Sequence, residues 1–139
     1  MTRFVLPAMI VVLALADALI HLSLDIFFFD GQFLAGFLNV LFLLNFGGYL
    51  VLAIGFVVSR RFSTKIRRAV SLALVAYATA TVLAWLAGGP DDLLGLGYVS
   101  KAAELTLIVS LILYLRTLSV APSRPVLVLV PSRTVSDDT

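Results

Sequence analysis

The chain has 139 residues, of which 61% are hydrophobic and 13% charged, and its mean hydropathy is +1.10. This apolar fraction is far above that of a soluble domain and excludes one as the main architecture. Cysteine is absent, which excludes thiol–disulfide chemistry, thiolate metal sites and iron–sulfur clusters. The basic residues that raise the pI to about 9.3 lie at the ends of apolar stretches, so no nucleic-acid partner is expected.

Four apolar stretches predict four transmembrane helices, because a bilayer core requires about 20 apolar residues per helix. The predicted spans are about 4–24, 33–58, 69–87 and 98–118. Short connections favour antiparallel neighbours, so the fold class is an all-α membrane protein, an up-down-up-down bundle of four helices. Residues 1–119 are predicted to form this domain, and residues 120–139 a flexible cytoplasmic tail.

The charges predict an orientation for this bundle. All Lys and Arg residues except Lys101, nine of the ten, lie on one side of the spans, and five of them fall within residues 60–68, taken as a basic loop. The positive-inside rule therefore predicts a multi-pass protein of the inner (plasma) membrane with both termini in the cytoplasm. The first stretch also resembles a secretory signal peptide, but it continues past the possible cleavage site, which favours a retained helix.

Small residues predict where helices approach each other, because lipid supplies no hydrophobic drive for association. The third span carries a stripe of alanines, which predicts that it is the most enclosed helix: Ala69, Ala73, Ala76, Ala80, Ala84 and Ala87. Ala14 and Ala18 in the first span and Gly48 and Gly55 in the second offer further contacts. Asn45, in the middle of the second span, is expected to hydrogen-bond to the third near Tyr77 or Thr79.

Polar residues from three spans are predicted to meet in the outer half of the bundle. Asp17 and His21 are four residues apart on one face of the first helix, and Asn39, Lys101 and Glu104 reach a similar depth. Charges at such depths face the bundle interior and pair, or they line a wet cavity. These five residues are the candidates for a ligand or proton site, and Lys101 is predicted to compensate Asp17.

Several interpretations of these polar residues stay open. The first is a buried ion-pair network inside a non-enzymatic accessory or interaction subunit, whose partners are the bilayer and a membrane protein or second copy. The second is a small transporter or binding protein with a protonatable site at Asp17, His21 and Glu104. The same three residues form a weak, unselective metal candidate, and no cofactor is predicted, since one His cannot supply bis-His haem ligation. A membrane enzyme ranks third, because catalytic signatures are missing from the sequence.

Short motifs support a family resemblance over about residues 10–115. They are His21-Leu22, Leu41-Phe42-Leu43-Leu44-Asn45, Gly48-Tyr49-Leu50 and Lys101-Ala102-Ala103-Glu104. With these motifs the chain resembles a family of small uncharacterised prokaryotic four-helix membrane proteins, which implies the fold and no particular activity. Small multidrug exporters share the length and the number of spans, but only Asp17 matches their pattern, in place of a membrane-embedded Glu, and that assignment is not adopted.

Overall fold

A computed structural model describes residues 2–28, 37–88 and 95–119. Its four α-helices are α1 (Thr2–Phe28), α2 (Phe37–Ser59), α3 (Thr64–Gly88) and α4 (Leu96–Ser119), and these ranges contain no strand. Each helix is long and apolar enough to cross a membrane. The predicted fold class is confirmed, whereas the predicted tail at 120–139 lies outside the described residues.

The helices form a closed ring of antiparallel neighbours. The α1 and α3 helices each pack against both α2 and α4. Across the α2–α4 diagonal, long side chains meet at the centre, where the Phe56 and Tyr114 rings pack edge to face at 5.2 Å between centroids. Small and aromatic side chains fill the narrow centre, including Ala14, Tyr49 and Phe56. Large apolar side chains such as Leu44 and Leu83 point outward, as expected where the surrounding solvent is lipid.

The loop between α2 and α3 is shorter than the basic loop predicted at residues 60–68. Only residues 60–63 connect the two helices. The backbone N–H of Arg67 donates to the Ser63 carbonyl at 3.1 Å, so Ser63 occupies the N-cap of α3. Serine is favoured at this position, and Lys and Arg are good helix formers, so Lys65, Arg67 and Arg68 extend the helix instead of the loop.

The prediction that the alanine stripe encloses the third helix is wrong. All six alanines of the stripe are exposed, and a larger share of α4 or α1 than of α3 is buried. The buried residues of α3 are Ser71, Leu74, Ala78 and Thr81. At about 100° per residue, the mean direction of this set lies about 140° around the helix from that of the stripe, so the alanines face away from the bundle. A stripe of small residues shows that another helix can approach closely, but it does not show which helix does so.

Other predicted small-residue contacts are confirmed. Ala14 and Ala18 are buried on α1. The Tyr77 hydroxyl of α3 reaches α2, where it donates to the Leu44 carbonyl (3.1 Å) and to Asn45 Oδ1 (3.2 Å). The predicted hydrogen bond of Asn45 to the third helix is therefore present. The Tyr77 ring passes directly over Gly48, where a Cβ atom would overlap it.

Candidate functional site

A cluster of buried polar side chains lies between α1 and α4, at the end of the bundle opposite the α2–α3 connection. We call it the polar layer, and it consists of Asp17, His21, Ser100, Lys101 and Glu104. Because α1 and α4 are neighbours in the ring, side chains from the second half of α1 meet those from the start of α4. Asp17 and Glu104 are both 0% exposed, so neither carboxyl group is solvated by bulk water.

His21 is held by its own helix. Its Nδ1 lies 2.8 Å from the backbone carbonyl oxygen of Asp17, one turn earlier. A carbonyl only accepts hydrogen bonds, so Nδ1 carries the hydrogen, and in the neutral ring the lone pair is on Nε2. The rings of Phe42 and Tyr49 each have their centroid 6.0 Å from the imidazole centroid and limit its rotation from the α2 side.

Tyr49 belongs to the wall of the polar layer and ties α2 to α3. Its hydroxyl lies 2.9 Å from Thr81 Oγ1, which itself donates to the Ala78 carbonyl at 2.8 Å. Each hydroxyl group carries one hydrogen, and either of them can donate in this pair. Tyr49 was not among the predicted site residues, although its position four residues after Asn45 places both on one face of α2.

Lys101 pairs within its own helix. Its Nζ donates to Glu104 Oε2 at 2.7 Å, and the two side chains are 11% and 0% exposed. The direct ion pair of Lys101 is therefore with Glu104, and the predicted compensation of Asp17 acts only through the electrostatic field of the ammonium group. Residues at positions i and i+3 share a helix face, so the Lys101 side chain contacts Glu104 without extending across the interface to α1.

Asp17 is bonded by a residue that the sequence analysis missed. Ser100 Oγ donates to Asp17 Oδ1 at 3.2 Å, across the α1–α4 interface. Ser100 is four residues before Glu104 and therefore lies on the same face of α4. That spacing is the signal that would have identified it.

The polar layer leaves part of its hydrogen-bonding capacity unused. Asp17 Oδ2 and Glu104 Oε1 are both buried, and no donor among the described residues meets them in hydrogen-bond geometry, although the Tyr49 hydroxyl lies close enough to the Glu104 carboxyl group to interact with it. Buried oxygens without donors are costly, and a carboxylate more so than a neutral group. The layer also has one ammonium group for two carboxyl groups, which leaves one excess negative charge if both are ionised.

Three candidate ligand atoms converge in this layer. Asp17, His21 and Glu104 each offer one atom, and all three atoms lie within 4.8 Å of one another. The structure thus brings together four of the five predicted site residues, namely these three and Lys101. The side chain of Asn39, the fifth, is outside the described part of the chain.

Comparison with protein-family models, with curated protein sequences and with solved structures finds no match. The family resemblance based on short motifs therefore stays a hypothesis. The chain is identified by its architecture, a bundle of four helices that are all apolar enough to cross a membrane.

Proposed function

We propose that this chain is a small integral membrane protein that binds a cation in its polar layer. The observation that carries the proposal is the pair of buried, unpartnered oxygens, Asp17 Oδ2 and Glu104 Oε1. A purely structural ion-pair network gains stability only when its buried oxygens are satisfied. One unpartnered oxygen on each carboxyl group therefore favours a ligand-binding role over a purely structural role in which the network only fixes the positions of the helices.

The charge of the polar layer selects the kind of ligand. Two carboxyl groups face a single ammonium group, Lys101, which already bonds Glu104 Oε2. An anion would add to the excess negative charge, and a neutral ligand would leave that charge uncompensated. A proton, a monovalent ion and a divalent ion are the three classes of cation that would offset it.

The proposal includes an orientation. The positive-inside rule places residues 60–63 and both termini in the cytoplasm and the polar layer in the outer half of the bilayer, so the cation would enter from outside. A cysteine at Ser63 that reacts with a membrane-impermeant reagent added to intact cells would overturn this orientation.

Cation binding is expected to stabilise the purified protein against heat. A ligand at 100 times its Kd contributes about 2.7 kcal/mol, which raises the unfolding midpoint by about 5 °C or more for a domain of this size. Midpoints would be measured in detergent with Na⁺, K⁺, Mg²⁺, Ca²⁺, Mn²⁺, Co²⁺ and Zn²⁺, and at decreasing pH for the proton. At least one series should raise the midpoint of the native chain.

The variants Asp17→Asn and Glu104→Gln should abolish the response. Asp91→Asn, which removes a carboxylate predicted to lie outside the spans, should keep it. The proposal is wrong if no series shifts the midpoint, or if the shift persists in both polar-layer variants.

A second candidate, the interaction subunit, is favoured by the exposed alanine stripe of α3. Small residues at four-residue spacing, such as Ala76, Ala80 and Ala84, allow another transmembrane helix to approach closely. We expect Ala80→Leu to reduce energy transfer between labelled copies in vesicles several-fold and to leave monomer stability within about 0.5 kcal/mol. Val51→Leu, on the outward face of α2, is the control. Unchanged transfer in Ala80→Leu would contradict self-association through the stripe.

A further inference from the structure

We propose that the cation is a divalent transition-metal ion of the zinc class, bound by Asp17, His21 and Glu104. This inference rests on the proposed cation-binding function and names the class of ion. It draws on three observations, namely the spacing of the candidate ligand atoms, the anchoring of each ligand and the presence of an imidazole.

The spacing suits a single small ion. Ligands at about 2.0–2.2 Å from a four-coordinate ion lie about 3.3–3.6 Å from each other. One atom of each residue, a carboxylate oxygen or a ring nitrogen, already lies within 4.8 Å of the atoms of the other two, so rotations of the side chains would bring three ligands to that spacing. Two of the ligands come from adjacent turns of α1 and the third from α4, so the ion would bridge neighbouring helices.

Each ligand has one atom anchored by the protein and one atom left open. Asp17 accepts from Ser100 at Oδ1, and its Oδ2 is unpartnered. Glu104 accepts from Lys101 at Oε2, and its Oε1 is unpartnered. Ligands of metal sites are oriented by such outer contacts, which fix the side chain and leave the coordinating atom available.

His21 is anchored through one ring nitrogen, and its imidazole selects the class of metal. Its Nδ1 is bound to the Asp17 carbonyl at 2.8 Å, which leaves Nε2 as the coordinating nitrogen. Imidazole is a good ligand for zinc, copper, iron and nickel, whereas sodium, calcium and magnesium are bound through oxygen. A nitrogen in a set of three ligands therefore favours a transition metal.

Lys101 is the one group in the layer that opposes a divalent ion. With Asp17, Glu104 and Lys101 charged, a divalent ion changes the sum of charges in the layer from −1 to +1. The ammonium group also competes for Glu104, which it holds at 2.7 Å. Its side chain is 11% exposed, so it can extend toward the membrane surface and release the carboxylate. Lys101 would thus weaken metal binding and make it reversible.

Cobalt(II) is the probe for this site, because its visible absorption reports the number and type of ligands. His21 is the only histidine in the sequence and cysteine is absent, so an untagged chain has a single imidazole and no thiolate. The native protein in detergent should bind one equivalent of Co²⁺ with the intense absorption of a low-coordinate site. An equimolar addition of Zn²⁺ should remove this absorption.

The variant His21→Asn is the main comparison. Its amide can keep the hydrogen bond to the Asp17 carbonyl but removes Nε2, so the low-coordinate absorption should be lost while the fold is kept. Asp91→Asn should bind as the native chain does. Equal Co²⁺ spectra in the native chain and in His21→Asn would overturn the inference.

A second measurement separates a metal site from a structural network. Lys101→Met should bind Co²⁺ at least about tenfold more tightly, because the competing ammonium group is gone, and Lys101→Arg should not. If Lys101→Met does not bind Co²⁺ more tightly than the native chain, the role given to Lys101 is wrong. If Na⁺ or Ca²⁺ stabilises the chain through Asp17 while Co²⁺ gives no low-coordinate spectrum, the transition-metal inference fails and the proposed cation-binding function stands.

Discussion

Replacing Lys101 with methionine should lower the free energy of unfolding by about 3–5 kcal/mol, the cost of removing one partner of a buried ion pair. The ammonium group bonds Glu104 at 2.7 Å, and the Glu104 side chain is 0% exposed. Without Lys101, two enclosed carboxyl groups would share the polar layer with no cation from the protein. Unfolding by denaturant in mixed micelles measures this loss.

The double variant Lys101→Met with Glu104→Gln should recover at least half of that loss, because the unpaired charge is removed while Asp17 stays. Lys65→Met, at the exposed start of α3, changes the only other lysine of the chain and should stay within about 0.5 kcal/mol of the native value. A coupling energy between Lys101 and Glu104 that is indistinguishable from zero would show that the contact contributes nothing to stability.

Two adjacent glycines of α2 should respond in opposite ways to alanine. A Cβ at Gly48 would overlap the Tyr77 ring and its hydroxyl, whereas a Cβ at Gly47 has nothing within 4 Å. Tyr77 cannot move away freely, since it hydrogen-bonds Leu44 and Asn45 and packs edge-on against Tyr49 at 5.1 Å between ring centroids. Gly48→Ala should therefore cost about 1–3 kcal/mol.

Gly47→Ala is the matched control for this prediction. It should leave stability unchanged or raise it by up to about 1 kcal/mol, the helix-propensity advantage of alanine over glycine. In a Tyr77→Ala background the cost of Gly48→Ala should disappear, because the overlapping ring is gone. Equal unfolding free energies for the two single glycine variants would contradict the packing of Tyr77 over Gly48.

Features that depend on chain length and depth along a helix were predictable. Four helices follow from the four long apolar stretches, since each must satisfy its backbone hydrogen bonds within the lipid. The meeting of Asp17 and His21 with Glu104 follows from counting residues along antiparallel helices at 1.5 Å per residue. The hydrogen bond between Asn45 and Tyr77 was predictable for the same reason, because a buried amide requires a partner at its own level.

Features that depend on helix rotation were not predictable from one sequence. The alanines of α3 and its buried set, which includes Ser71 and Ala78, are alternative faces that both carry small side chains. A helix in lipid has no polar face to show which side is outside, so composition could not choose between them. The same limit explains why Ser100 was missed as the partner of Asp17.

The sequence by itself determined the number of spans, the antiparallel order and the level at which the buried charges lie. Hydrophobic length and axial rise are properties of each segment alone, so no neighbour is needed to specify them. The tertiary structure decided that Lys101 bonds Glu104, that Ser100 bonds Asp17, and that one oxygen of each carboxyl group stays open. Such pairings depend on the rotation of α1 against α4 and on side-chain torsions, which packing selects only when all four helices are in contact.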